Sequence, residues 1–134
     1  MNTFDWDRLD FLGWRDPKAA RRAYVVVPLE SGPVGILLCQ AEAAPRTRAQ
    51  CSWCQDVELP NDVVFYSARR AGPDGRKGDT VGTLVCAGFE CSANVRRVPS
   101  TASMGFDPDA VRTSRIETLR ERATAFAGVV LHGT

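Results

Sequence analysis

The sequence predicts a small α+β domain stapled by one metal ion. Three observations carry that expectation: two pairs of cysteines, a β-hairpin pattern between them, and one long amphipathic helix near the C-terminal end. The chain has 134 residues, 44% hydrophobic and 25% charged, which suits one globular domain of residues 1–134. A chain of this size buries roughly two thirds of its unfolded surface. Its 11 glycines and 8 prolines interrupt any long regular core, so a staple has work to do.

The elements follow in order. Residues 1–10 form an aromatic and acidic leader. Asp16-Pro17 predicts a capped turn of helix through Lys18 to Arg22. Ala23 to Val27 is rich in β-branched residues and reads as a strand, placed at a sheet edge by Pro28. Val34 to Ala43, ended by Pro45, admits a buried helix or a second strand, and helix is the preferred reading. Val63 to Ala68 is a strand. Arg69 to Thr80 supplies turn chemistry through Gly72, Pro73, Asp74, Gly75, Gly78 and Asp79, and Val81 to Val85 completes a hairpin. Ser92 to Val98 starts a short helix that Pro99 stops. The last helix spans 107–130. Asp107 caps it, Pro108 fits its first turn, and Asp109 complements its positive end. Ile116, Leu119, Ala123, Phe126 and Val130 form its core-facing stripe, and Gly128 is placed to fray it early.

No apolar run approaches the roughly 20 residues of a membrane span. The start, Met1 to Asp10, lacks the basic-then-apolar order of a secretion signal. The expected compartment is therefore the cytoplasm, where thiols stay reduced and paired cysteines hold metal more often than disulfides. Cys51-Ser52-Trp53-Cys54 has the two-residue spacing that turns both sulfurs toward one ion. Cys86-Ala87-Gly88-Phe89-Glu90-Cys91 is a wider loop, with Gly88 available for a positive φ. The competing readings are a redox dithiol at Cys51 and Cys54, two disulfides, or unlinked buried cysteines. A redox pair would want a βαβ setting, whereas here a second pair lies where a hairpin closes the distance. The expected ligands are thus Cys51, Cys54, Cys86 and Cys91 around one zinc ion. Knuckle, hairpin and a ligand at a helix start make up the treble-clef plan. Four thiolates leave no open coordination position, so the zinc is structural.

Cys39 lies in the apolar segment Gly35 to Leu38 and is expected to behave as a small buried hydrophobe. His132 is the single histidine and is expected in a loosely docked tail. No nucleophile-base pair has a motif context. The glycines at 72, 75, 78 and 82 form neither a Walker loop nor a dinucleotide fingerprint. Nothing therefore points to an enzyme or a small-molecule substrate.

The net charge of +1, from 17 basic and 16 acidic residues, excludes a general attraction to nucleic acid or membrane, so any basic site is local. Arginine far outnumbers lysine (only Lys18 and Lys77), which reads first as a GC-rich coding bias. Residues 61–100 carry six basic and four acidic side chains, a local excess of +2. Arg69, Arg70, Arg76, Lys77, Arg96 and Arg97 are set against Asp62, Asp74, Asp79 and Glu90. That patch suits an acidic protein face or a phosphate backbone, with an ordinary solvated surface as the alternative. Trp53 and Phe89, beside the cysteines, are core packing or interface anchors, with packing preferred.

Several segments in order resemble a known family: Gly13-Trp14-Arg15-Asp16, Tyr24 to Val27, Gly35 to Leu38, Cys51/Cys54, Gly75-Arg76-Lys77-Gly78-Asp79-Thr80-Val81-Gly82-Thr83, and Cys86 to Cys91 with Arg96. Over 11–98 the chain is similar to the treble-clef zinc finger of elongation factor G-binding proteins, the FusB-type fusidic-acid resistance proteins and their relatives. The resemblance implies a non-catalytic protein that docks on elongation factor G and helps it leave ribosomes on which fusidic acid has trapped it. The implied zinc ligands are Cys51, Cys54, Cys86 and Cys91. The resistance proteins carry an additional N-terminal helical domain, where this sequence has its short leader. Arg69, Arg70, Arg76, Lys77, Phe89 and Arg96 are the candidate partner-binding residues. An RNA- or ribosome-binding zinc module is the rival reading, because function does not follow from fold.

Overall fold

Period-two alternation governs the strands that make up most of the described residues before Cys86. The computed structural model describes residues 10–41, 50–55, 62–97 and 107–132. Five strands, β1 (Leu12–Arg15), β2 (Arg22–Leu29), β3 (Gly32–Gln40), β4 (Val63–Arg69) and β5 (Thr80–Cys86), form one antiparallel sheet in sequence order. Ala23, Val25, Val27, Ile36, Leu38, Tyr66, Ala68 and Val85 point to a buried face, as alternation requires. Three helices follow the later strands: α1 (Pro73–Arg76) within the β4–β5 connection, α2 (Cys91–Arg96), and α3 (Pro108–His132). Leu119, Ala123, Phe126, Ala127 and Val130 of α3 complete the core.

The hairpin, the short helix after Cys91 and the long last helix agree with the sequence reading. Asp107 caps α3 by accepting the Asp109 N–H at 3.0 Å. Gly128 does not end the helix, which runs on to His132. Buried Ala127 and Val130 on either side of it hold that turn against the sheet.

Three expectations are corrected. The segment from Val34 is a strand, with Ile36 and Leu38 buried and Gly35, Leu37 and Cys39 exposed. The helix reading failed because Leu37 and Cys39 are apolar yet face outward, which hides the alternation. Asp16 caps a turn but no helix: its carboxylate accepts the N–H groups of Lys18 at 2.8 Å and Ala19 at 3.2 Å, and the Tyr24 hydroxyl at 2.7 Å. The chain must then re-extend at Arg22 to pair with both β1 and β3. Finally, β2 is an interior strand. Its pairing with β1 stops at Val26, so Pro28 has one open flank without lying on an edge strand. Residues 1–9 of the leader, the end of the Val34 segment at Ala43 and Pro45, and the Val98-Pro99 stop lie outside the described residues.

β3 and β4 pair only at Cys39↔Ser67 and Gln40↔Tyr66, whereas β4 and β5 pair along their whole length from Val63↔Cys86 to Arg69↔Thr80. The hairpin therefore spans the molecule. Its Cys86 end carries the cysteine cluster, and its other end carries α1 and the basic residues.

Candidate metal centre

Cys51 to Cys54 form a tight knuckle. The Gln55 N–H bonds to the Cys51 carbonyl at 2.9 Å, and the Ser52 N–H bonds to the Leu84 carbonyl at 2.8 Å, which docks the knuckle on β5. Cys86 is the last residue of β5 and Cys91 the first of α2. Three separate elements thus deliver four sulfurs to one point. All four cysteines are buried and their ligand atoms lie within 4.8 Å of one another. The Cys51–Cys91 and Cys54–Cys86 sulfur separations are 3.6 and 3.7 Å. Zinc–sulfur bonds of about 2.3 Å in a tetrahedron set sulfurs about 3.8 Å apart. A disulfide needs about 2.05 Å, so the cluster fits a metal ion and not a pair of disulfides.

The electrostatics agree. Sulfur hydrogen bonds from Cys51, Cys86 and Cys91, with the Asn94 amide, hold the Cys54 thiol far below its ordinary value, against the pull of burial. Contacts with Cys51 and Cys54 push Cys86 and Cys91 far up, Cys91 further by Cys86. Contact with Cys54 raises the Cys51 thiol, but hydrogen bonds from Cys86 and Cys91 leave it below its ordinary value as well, so two thiolates are accommodated in this space and the other two are repelled. A divalent cation removes that repulsion and takes all four as thiolates.

Polar support comes from residues that motif spacing did not reveal. Asn94, 3% exposed, donates from Nδ2 to the sulfurs of Cys54 at 3.5 Å and Cys86 at 3.6 Å. The Cys54 N–H donates to the Cys51 sulfur at 3.4 Å. Asn94 stands one helical turn after Cys91, and an asparagine inside so short a helix was the available signal. Asp10, the last leader residue, is equally buried. It receives Arg96 at 2.7 and 3.3 Å, Arg120 at 2.7 Å and the Ser92 hydroxyl at 2.9 Å, tying the residue just ahead of β1 to α2 and α3. Nothing local in the sequence marks it.

Trp53 packs edge-on against Phe11 with centroids 4.8 Å apart, and its indole N–H donates to Thr83 at 3.0 Å. Phe89, 9% exposed, stacks on Tyr66 with centroids 5.5 Å apart. It takes the positive φ of the Cys86–Cys91 loop at 59°, which corrects the assignment of that role to Gly88. Phe89 pays this backbone cost, about 1–2 kcal/mol, to bring its ring under β1. There a Cβ on Gly13 would meet the ring at 2.6 Å, so only glycine fits.

The candidate partner-binding residues fall into two groups. Arg69, Arg76 and Lys77 are exposed at the hairpin end away from the metal, with half-buried Arg70 beside them donating to the Val129 carbonyl at 3.3 Å. Phe89 and Arg96 belong to the metal end, one in the core and the other bound to Asp10. Cys39 is exposed, contrary to the buried role expected of it, because odd positions of β3 face outward. His132 is exposed on the last turn of α3.

No curated protein and no solved structure matches the chain significantly. Residues 1–130 match the FBP C-terminal treble-clef zinc-finger family, which is not an enzyme family. Knuckle, hairpin, helix-borne fourth ligand and sequence match converge: this chain belongs to the FBP C-terminal treble-clef zinc-finger family, with one structural zinc held by Cys51, Cys54, Cys86 and Cys91.

Proposed function

We propose that this chain is a cytoplasmic, non-catalytic binding protein for elongation factor G that promotes release of the factor from the ribosome, as the FusB-type resemblance implies. Family membership over residues 1–130 is the observation that carries the reading. Among the described residues no helix is long and apolar enough to cross a membrane, which accords with a partner met in solution. Zinc fixes the hairpin at one end. Arg69, Arg76 and Lys77, with Arg70 behind them, are displayed at the other and supply charge for the encounter. Phe89 and Arg96 contribute by keeping the shape of the metal end.

Titration calorimetry of the zinc-loaded protein with purified factor tests this directly, with binding expected at or below about 10 μM. Alanine at Arg76 and Lys77 should slow association and flatten its salt dependence while melting is unchanged. A ribosome-pelleting assay with fusidic acid should then show factor moving to the supernatant as the protein is added. Absence of heat at saturating factor would end the proposal.

A further inference from the structure

β3 pairs with β2 from Arg22↔Cys39 to Leu29↔Gly32, but with β4 only at Cys39 and Gln40. The stretch from Gly32 to Leu38 therefore has one side without a partner strand among the described residues. The bonds at the closed end show which backbone groups look into that opening. The Gln40 N–H bonds to the Arg21 carbonyl at 2.7 Å, on the β2 side, and the Ala41 N–H to the Phe65 carbonyl at 2.8 Å, on the β4 side. In an antiparallel ladder both backbone groups of a residue point the same way, and the direction alternates along the strand. Ile36 and Leu38 thus bond to β2, while Gly35 and Leu37 direct their N–H and C=O into the opening. Neither has a backbone hydrogen bond on that side among the described residues. Across the opening, the Arg70 N–H bonds to the carbonyl of Asp79, just ahead of β5, at 3.0 Å, so Arg69 directs its own N–H and C=O back toward β3. Leu37 and Arg69 would be the next bonded pair of the β3–β4 ladder, and the ladder stops before them.

The opening is held by α3. The Ala71 N–H bonds to the Val130 carbonyl at 2.8 Å and the Arg70 guanidinium to the Val129 carbonyl at 3.3 Å, which ties the end of β4 to the last turns of α3 instead of to β3. A crevice of about 530 Å³ results, with Gly35, Ile36 and Leu37 on one wall, Arg69 on the other, and Val130 and Leu131 of α3 beneath. A Cβ on Gly35 would meet nothing within 4 Å, so that wall is open for another chain to lie alongside. Arg22 also lines the crevice but shares its charge with neighbouring Asp16. Arg69 is exposed and is in no salt bridge among the described residues.

Backbone donors and acceptors repeating at strand spacing are what another strand matches; a nucleic acid or a small ligand has no such repeat. We propose that the β3 edge from Pro33 to Leu37 binds an extended acidic segment of a partner polypeptide by antiparallel strand addition, in the place and direction that β4 leaves. The segment pairs with Gly35 and Leu37, and its residues opposite them face outward, where a carboxylate reaches Arg69. Its alternate residues face α3 and set apolar side chains against Ile36, Val130 and Leu131. Pro33 has no N–H to offer and ends the edge that can pair. At about 3.3 Å per residue the stretch takes a segment of about five or six residues. The proposal holds whichever protein supplies the segment, because it uses the β3 edge and not the Arg76–Lys77 turn.

The probe is a labelled, end-capped octapeptide of alternating aspartate and valine, added to the full zinc-loaded chain. Fluorescence anisotropy should give binding at about 10–100 μM. Without peptide, hydrogen exchange should find the Gly35 and Leu37 amides faster than those of Ile36 and Leu38, and the peptide should slow the first pair about tenfold or more. N-methylation at the aspartates removes the N–H groups aimed at β3 and should abolish binding, whereas N-methylation at the valines should leave most of it. Arg69→Glu should weaken this peptide about tenfold and turn the preference to one of alternating lysine and valine. Zinc content and melting report folding of the variant. No binding at about 1 mM peptide, equal binding of the aspartate-methylated peptide, or binding that leaves the Gly35 and Leu37 amides unprotected would overturn the proposal. So would protection of those amides by self-association without peptide, which would give the edge to a second copy of the chain.

Discussion

Asn94 is held between two metal-bound sulfurs and spends both amide hydrogens on them. Such N–H···S bonds disperse thiolate charge and fix sulfur direction, and removing support of this kind typically costs about 10–100-fold in metal affinity. Asn94→Ala should therefore release zinc to a competing chelator about tenfold more readily, while the protein remains folded in excess zinc. Cys39 gives the opposite outcome. Being the exposed one of five cysteines, it should react alone when a thiol reagent meets the native zinc protein, with the other four reacting after chelation. Cys39→Ser should shift stability by no more than about 0.5 kcal/mol. The ligand set was readable from spacing alone, whereas the status of Cys39 depended on which side of β3 it faces and that of Phe89 on the positive φ it takes in the loop between β5 and α2.

At the level of elements, arginines do the joining. Arg112 and Arg115 of α3 donate to the carbonyls of Arg96 at 2.9 Å and Arg97 at 2.7 Å, satisfying the open end of α2. Arg122 reaches the Ser52 carbonyl of the knuckle at 3.3 Å. What composition suggests is a coding bias is thus a structural device, since a planar fork of donors serves carbonyls and carboxylates that lysine would serve less well. Asp10 is the hub. Burial drives its carboxyl up, but hydrogen bonds from Arg96, Arg120 and Ser92 outweigh that and hold it below 3.8. A carboxyl lowered on folding stabilises fully above its unfolded value of about 3.9 and loses that contribution as pH falls through the folded value. Asp10→Asn should cost about 1–3 kcal/mol at neutral pH, at the lower part of that range because Arg120 is half exposed. The gap between parent and variant in urea melts should close as pH drops below about 4. A constant gap would show that the carboxylate charge is not what holds the elements.

For the whole molecule, the four cysteines belong to the same buried core as the sheet and α3, so loss of zinc should be felt by both. Structural zinc contributes about 10–16 kcal/mol in small peptides, comparable with the stability of about 5–15 kcal/mol of an entire domain. Chelation should melt the protein cooperatively, zinc should restore it, and metal analysis should find about one ion per chain. Cys54→Ser or Cys91→Ser should behave like the chelated parent. The sequence by itself determined the metal ligands, the hairpin between them and the capped last helix, because each is written in spacing or in periodicity over a few neighbouring residues. Only the tertiary structure decided that the Val34 segment is a strand, that Leu37, Cys39 and Phe65 face water, and that Asp10 draws α2 and α3 together. Those outcomes depend on which face of the sheet α3 covers and on contacts between residues far apart in the chain. No local pattern encodes them.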